Sequence, residues 1–478
     1  MSLINFLYFV GFLSIIYYLI TYFIYFLIMV TGLKGVQEEI REVETRDLLE
    51  FEKGSPFLPG ISIIIPAYNE EKGIVRSVEA NLKVEYPRKE VMVVNDGSTD
   101  GTLEKLVDRY DLEKIDAVPP EILQKARGAV NAVYKSETYP EVVVVDKENS
   151  GRASALNTGL WLTEMELFCT VDADSIIEPD AVTEVVRPFI TNPEKTLASG
   201  GTVRVLNSCE IEGIQVKSPR VSNRLLIGTQ DLEYLRGFYI GRQGLDKFDI
   251  LLLLAGTFSV YRSDIVRRIG GFDEDSLVED MEIIVRLKRH MNEAERAYNV
   301  AFLGNPVVWT EVPSDWRSLA KQRKRWFLGL WDTLLENKDM MGRKRFGNTG
   351  MYGLPFYLMV EALGPVIECT GYILLPVLIF LNVIDFEFLV VYFLFLSGLG
   401  VLLSWLSLFS ESLIYRKYKE PRMLVKLFIY GVIENFGVRQ YKVFVKTFGL
   451  LRHWMPGGED REKEILWDIK REGLDGNE

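Results

Sequence analysis

The sequence predicts an α/β domain with a mostly parallel sheet, set between membrane-spanning α-helices. Two observations carry this. Apolar density is gathered toward the two ends of a 478-residue chain that is 48% hydrophobic overall. Between those ends, short apolar runs alternate with turn residues and amphipathic stretches, the pattern of repeated βαβ units.

The first stretch, Leu3 to Leu33, contains no Asp, Glu, Lys or Arg and exceeds the ~20 residues a helix needs to cross a bilayer. A cleaved signal peptide is the rival reading. It fits poorly, because no cationic start precedes the run, the run is too long, and no small-residue cleavage site follows. A linker is expected over 34–57. Beyond it the α/β domain should occupy 58–345, followed by a membrane region over 346–450 and a cytoplasmic tail over 451–478. Two more spans are expected at about 352–384 and 386–409, separated by Asp385 and Glu387. The segment 423–448 is interrupted by Lys426, Glu434, Arg439, Lys442 and Lys446, so it reads as an interfacial or fourth helix. Lys34 and Arg41 follow the first span, and Arg416, Lys417, Lys419 and Arg422 follow the third. By the positive-inside rule both flanks, and the domain between them, are cytoplasmic.

Composition excludes several classes. A net charge of -12 and no long basic stripe argue against a nucleic-acid partner. Three cysteines, Cys169, Cys209 and Cys369, without CxxC spacing support neither a disulfide framework nor a zinc site.

Within the α/β domain the predicted order is a strand at Ile61 to Pro66, a helix at Glu70 to Lys83, a strand at Val91 to Asn95 and a helix at Thr102 to Tyr110. Open α/β sheets bind ligands beyond the carboxyl ends of their strands, and four such ends are polar here. They are Pro66-Ala67-Tyr68-Asn69-Glu70, the run from Asn95 and Asp96 to Gly101, the run from Lys147 to Arg152, and Asp172-Ala173-Asp174. Turn and cap propensity alone explains any one of them. The last is sharper: two carboxylates two residues apart at a strand end project to one side and suit a hard cation, Mg²⁺ or Mn²⁺, that keeps sites for phosphate oxygens.

Downstream, Val278-Glu279-Asp280 opens a helical stretch, where an acid is also an ordinary cap. Gln322-Arg323-Lys324-Arg325-Trp326 lies on a helix expected over 316–335, with Gln322, Arg325 and Trp326 on one face. An amide, a guanidinium and an aromatic plate suit a pyrophosphate and a sugar ring. A cationic amphipathic helix on lipid headgroups is the alternative.

Taken in this order, the runs PAYNE, NDGS, Lys147 to Asn157, DAD, VED and QRKRW resemble the processive branch of the family 2 glycosyltransferases, the hyaluronan, chitin, cellulose and poly-N-acetylglucosamine synthases. The resemblance extends from about Leu58 through Trp454. It implies a GT-A, Rossmann-like domain and an inverting transfer from a nucleotide-sugar, a UDP-sugar above all, to a glycan or lipid acceptor. It also implies donor contacts at Pro66, Tyr68, Glu70 and Asp96, with Lys147 and Arg152 near the nucleotide and Asp172 and Asp174 at the diphosphate and its divalent cation. The catalytic base falls on Asp280, and the acceptor and diphosphate end on Gly256, Thr257, Glu279, Gln322, Arg325 and Trp326. Cellulose synthase-like members carry more spans than the three read here, which leaves room for an accessory export subunit. Single-sugar transfer to a polyprenyl phosphate is the rival enzyme reading. A transporter or sensor with a nucleotide-binding domain is the rival from another class, to which Glu361 and Glu368 within the second span would speak.

Overall fold

The structure, a computed structural model, describes residues 3–46, 58–115, 125–381, 384–414, 417–418 and 420–455. Residues 47–57 of the expected linker, Arg416, Lys419 and residues 456–478 of the expected tail lie outside the described residues.

The α/β domain is built on a ten-stranded sheet. In chain order its strands are β1 (Ile61–Ala67), β2 (Lys89–Asp96), β3 (Leu112–Ile115), β4 (Val130–Ser136), β5 (Val142–Lys147), β6 (Leu167–Val171), β7 (Ile176–Ile177) and β8 (Thr196–Val205). After a separate two-stranded hairpin, β9 (Glu210–Glu212) and β10 (Gln215–Ser218), come β11 (Phe258–Arg262) and β12 (Asn299–Thr310). The spatial order is β3-β4-β5-β2-β1-β6-β11-β8-β12-β7. The central four strands β5, β2, β1 and β6 are parallel, and only β4, β7 and β11 run against the rest of the sheet.

The central strands are nearly unbroken apolar runs because both faces of the sheet are covered. Ile61, Ile63, Ile65, Val91, Val93, Val142 and Val144 enter one core, while Ile64, Met92, Val94, Val143 and Val145 enter the other. Side chains alternate across a strand, so each strand supplies two cores at once. The chain moves from β1 outward through β2 to β5 and then returns to the opposite side of β1 as β6. That reversal opens a crevice beyond the carboxyl ends of β1 and β6, the place where open α/β sheets bind ligands. The interval between Tyr110 and Pro140, unexplained by sequence, contributes the antiparallel pair β3 and β4, which extends that edge of the sheet.

Among the described residues three helices are long and apolar enough to cross a membrane, at Gly11–Glu39, Thr349–Phe380 and Phe386–Ser412. This matches the three expected spans. The linker expectation needs correction: the first helix continues unbroken to Arg46. Its end docks on the domain, where buried Glu39 accepts from Gln243 Nε2 (2.9 Å) and from the backbone nitrogens of Gly304 (2.9 Å) and Asn305 (3.0 Å).

The segment expected as one helix over 423–448 is two, Pro421–Ile433 and Arg439–His453. Between them Phe436 leaves helical geometry and Gly437 takes φ 111°, a backbone conformation open to glycine and few other residues. Glu361 and Glu368 are both satisfied inside the protein. Tyr25 donates to Glu361 (2.8 Å), and Arg439 donates to Glu368 through Nε (2.8 Å) and Nη2 (2.9 Å). Both carboxylates are therefore held by partners between the membrane helices.

Candidate active site

The register of β2 against β5 sets Asp96 beside Lys147. The Lys147 ammonium is fully buried and donates to Asp96 Oδ1 (2.8 Å) and to the Glu148 carbonyl (2.8 Å). Asp96 also accepts from the Ser150 nitrogen through both oxygens (3.0 and 3.2 Å) and from the Gly151 nitrogen through Oδ2 (2.7 Å). Gly151 has φ 91° and immediately precedes the helix Arg152–Leu162, so the carboxylate satisfies backbone donors at that helix start, where negative charge is favoured. Asp96 and Lys147 thus pair with each other and with loop backbone, and hold the β2 and β5 loops together.

The β1 loop is tied to the β2 loop in turn. Asn69, at φ 56°, donates its backbone nitrogen to Ser98 Oγ (3.0 Å), and the Glu70 nitrogen donates to Thr102 Oγ1 (2.9 Å). Pro66, Tyr68 and Glu70 are half-buried along this rim.

Arg152 is the hub of the crevice. It donates through Nε (2.9 Å) and Nη2 (2.7 Å) to Asp172 Oδ1, through Nη1 to Glu279 (2.5 Å) and through Nη2 to the Gly256 carbonyl (2.7 Å). Four elements distant in sequence thus meet at one guanidinium, whose rigid fork suits such multiple acceptance. Asp172 and Asp174 do not share one environment, as their spacing suggested. Asp172 faces Arg152, whereas Asp174 Oδ1 accepts from Ser175 Oγ (3.1 Å) and Thr310 Oγ1 (3.4 Å). Burial first, and then the charge of Asp172, push the Asp174 carboxyl up to about 7.

Asp280, at the start of the helix Glu279–Glu293, accepts from the Gly256 nitrogen through Oδ2 (3.2 Å). Burial and the neighbouring Glu279 raise its carboxyl above the ordinary range, against the opposing charges of Arg152, Arg242 and Arg325. Antiparallel pairing of β11 with β6 sets Phe258 opposite Val171, which brings the preceding Gly256 and Thr257 to the Asp172 end of β6. Thr257 Oγ1 lies 2.9 Å from Ser175 Oγ. A Cβ at Gly256 would stand 3.3 Å from Asp280 Oδ2 and 3.4 Å from Arg152 Nη1, so the smallest residue fits there and a larger one crowds both groups.

The helix Trp316–Glu336 closes the crevice toward the membrane helices. Its Asp315 cap accepts from the nitrogens of Arg317 and Ser318. Arg325 Nη1 donates to the Leu277 carbonyl (3.2 Å), and Trp326 packs on a core containing Leu277, Val278 and Met281. Gln322, Arg325 and Trp326 are all half-buried. Sequence reasoning passed over Ser175, Thr310 and Arg242. Single hydroxyls carry no local signal, and Thr310 reaches Asp174 only because β12 ends there. Buried Arg242 lies in the helix Arg242–Lys247 with its guanidinium over the Phe238 ring (4.3 Å).

Among the described residues no group of three or more His, Cys, Asp or Glu gathers as a metal cage. The donor set fits a cation of another kind. Two carboxylates at one strand end, with the charge of Asp172 close enough to raise the Asp174 carboxyl, favour a hard ion that takes few protein ligands and completes its shell with water and phosphate oxygens.

The strand-end loops, their carboxylates and the acid at a helix start converge on one crevice of the α/β domain, an arrangement suited to a group-transfer enzyme. The chain belongs to the family described as glycosyltransferase like family 2, whose profile matches residues 59–329. Among curated relatives, a poly-beta-1,6-N-acetyl-D-glucosamine synthase of Staphylococcus epidermidis is 25% identical over 81% of this chain and 79% of its own length. The probable glycosyltransferase YdaM of Bacillus subtilis is 27% identical over 59% of this chain, and the match spans 58% of YdaM's length. Among solved structures, mannosyltransferase PcManGT from Pyrobaculum calidifontis, in complex with GDP-Man and Mn²⁺, is a distant likeness. It has a TM-score of 0.47 and 16% identity over 88% of this chain and 99% of that one.

Proposed function

We propose that this membrane glycosyltransferase transfers a sugar from a UDP-sugar, with N-acetylglucosamine as the first candidate, to a growing glycan on the cytoplasmic side. One observation carries the reading: Asp280 and Asp174 flank the same two residues. The Gly256 nitrogen is bound to Asp280, and Thr257 is bound to Ser175, whose hydroxyl donates to Asp174. A proton acceptor and a diphosphate-facing carboxylate thereby stand on either side of one short segment, as transfer at a single carbon requires.

In this reading the acceptor hydroxyl approaches from the Asp280 side. As its oxygen bonds to the anomeric carbon, its proton passes to Asp280 and the bond from that carbon to the diphosphate oxygen breaks, with inversion. Raising the Asp280 carboxyl brings its proton affinity nearer that needed at neutral pH. Asp174, with Asp172 beside it, would hold a Mg²⁺ or Mn²⁺ ion, which supplies charge neutralisation to the leaving diphosphate. Arg152 keeps Asp172, Glu279 and the Gly256 carbonyl in register. Tyr68, Glu70 and Pro66 form the nucleoside rim, backed by the Asp96 and Lys147 pair. Gln322, Arg325 and Trp326 offer the acceptor a polar edge and a stacking plate. The synthase relatives support the choice of sugar and of a polymeric product.

The test is nucleoside-diphosphate release by the full chain in lipid nanodiscs across UDP- and GDP-sugars with Mn²⁺ or Mg²⁺, with sizing of the product. Metal-dependent UDP release with a long glycan is expected. Release only on addition of a polyprenyl phosphate would replace the polymer reading with lipid-linked transfer, and no release under any condition would remove the transferase reading.

A further inference from the structure

Arg323 stands between Gln322 and Arg325 yet points away from the crevice, into the protein. Its guanidinium is buried, donates through Nη1 to Gln322 Oε1 (3.0 Å) and through Nη2 to Glu233 Oε2 (3.0 Å), and lies 4.4 Å from the Trp326 ring centroid. One side chain thus touches two of the three groups that the proposed function assigns to the acceptor. Glu233 belongs to the helix Leu225–Tyr234 of the α/β domain, and its Oε2 also accepts from Lys442 (3.3 Å). Lys442 donates in turn to Glu434 Oε1 (3.0 Å). Glu434 takes both terminal nitrogens of Arg236 (3.0 and 3.1 Å), and Arg236 Nη1 donates to Ser404 in the third span (2.5 Å).

The chain of charges depends on the break in the C-terminal helix pair. In an unbroken helix two residues eight apart are separated by ~12 Å along the axis. The turn at Phe436 and Gly437 folds that distance away and lets Lys442 meet Glu434 at 3.0 Å. The side chains of Arg323 and Glu434 are 3% and 4% exposed and that of Lys442 is 11% exposed. At such burial, loss of one partner strands a charge on the other and the survivors move. Burial pushes the Glu233 carboxyl up, but the charges of Arg323 and Lys442 outweigh it and hold it at about 2, so Glu233 stays ionised at neutral pH.

We propose that Arg323 is a positioning residue that fixes Gln322 and Trp326 for the acceptor. In the same proposal, the C-terminal helix pair 421–453 sets its place through Lys442, Glu434 and Glu233, and couples the acceptor plate to the membrane helices. This rests on the acceptor role given to Gln322 and Trp326 above.

The experiment compares, in nanodiscs, transfer to added glycan acceptor with hydrolysis of the UDP-sugar in its absence, for wild type, Arg323→Lys, Glu233→Gln, Lys442→Met and Lys442→Arg. Lysine at 323 keeps the charge and loses the planar fork and the stack. Arg323→Lys and Lys442→Met should lower kcat/KM for acceptor roughly ten- to hundredfold, the scale of an ångström-sized misplacement. Donor KM and donor hydrolysis should stay at wild-type values, and Lys442→Arg should restore transfer. Equal loss of hydrolysis and transfer, tracking a lowered unfolding temperature, would make the network a fold anchor and overturn the proposal. So would unchanged acceptor kinetics in Arg323→Lys. If wild type itself releases no nucleotide from any donor, the proposed function falls, and this proposal with it.

Discussion

The backbone nitrogen of Gly256 donates to Asp280 at 3.2 Å, and a Cβ at Gly256 would stand 3.3 Å from the same carboxylate oxygen and 3.4 Å from Arg152 Nη1. That spacing is tighter than side chains ordinarily adopt, so a methyl group there displaces either the proposed base or the guanidinium hub by a few tenths of an ångström. Gly256→Ala should therefore lower kcat about tenfold, since small displacements of reacting groups carry large rate costs. Donor KM should change little, because the proposed nucleoside rim lies on the loops after β1 and β2. Steady-state kinetics in both substrates decides this; wild-type kcat in Gly256→Ala would mean that Asp280 is free to relax.

Asp280→Asn should abolish transfer and leave donor binding intact, because the amide keeps the volume and the hydrogen bond from Gly256 but accepts no proton. The pH profile adds a sign. A base works when ionised, so activity is lost as pH falls through its pKa. Burial and Glu279 raise the Asp280 carboxyl, which sets the acidic limb of kcat/KM above the ordinary aspartate value of about 3.9. Glu279→Gln removes that raising charge and should move the limb to lower pH. An unmoved limb would assign it to another group.

Lys147→Met separates a structural role from a nucleotide contact. Asp96 and Lys147 are both buried, and removing one partner of a buried pair costs ~3–5 kcal/mol through the stranded charge. The expected result is a lowered unfolding temperature even without nucleotide. A direct nucleotide contact alone would instead leave the unliganded protein as stable as wild type and weaken only its stabilisation by UDP.

What was legible in the sequence was whatever repeats locally. The runs at Ile61 and Val91 announced strands of a mostly parallel sheet, and the charge-free stretch from Leu3 to Leu33 announced a span. The family motifs gave the order of the strand-end loops. Long-range pairing was not legible. Nothing in Lys147 says that its partner is Asp96, since that follows from the β2 and β5 register. The two-residue spacing of Asp172 and Asp174 suggested a shared role. Arg152 and Thr310, held on other elements, turn them toward different neighbours. Periodicity over 423–448 gave one helix, because a single glycine such as Gly437 is tolerated in many helices and only tertiary contacts of Glu434 and Arg439 favour the break.

The unequal surroundings of Asp172 and Asp174 lead to a graded expectation for the metal. Asp172 Oδ1 already takes two bonds from Arg152, whereas among the described residues Asp174 takes neutral hydroxyl donors, Ser175 and Thr310. A carboxylate without a cationic partner is the stronger ligand for a divalent ion. Asp174→Ala should thus remove the Mn²⁺ enhancement of UDP binding, read by calorimetry with and without metal. Asp172→Ala should weaken that enhancement less and should also lower kcat, since Arg152 loses its main anchor and with it the alignment of Glu279 and Gly256. Metal-enhanced binding in Asp174→Ala equal to wild type would take Asp174 out of the cation site. The reverse ranking of the two variants would mean that Arg152 releases Asp172 when the diphosphate arrives, so that the guanidinium pairs with phosphate and the carboxylate with the ion.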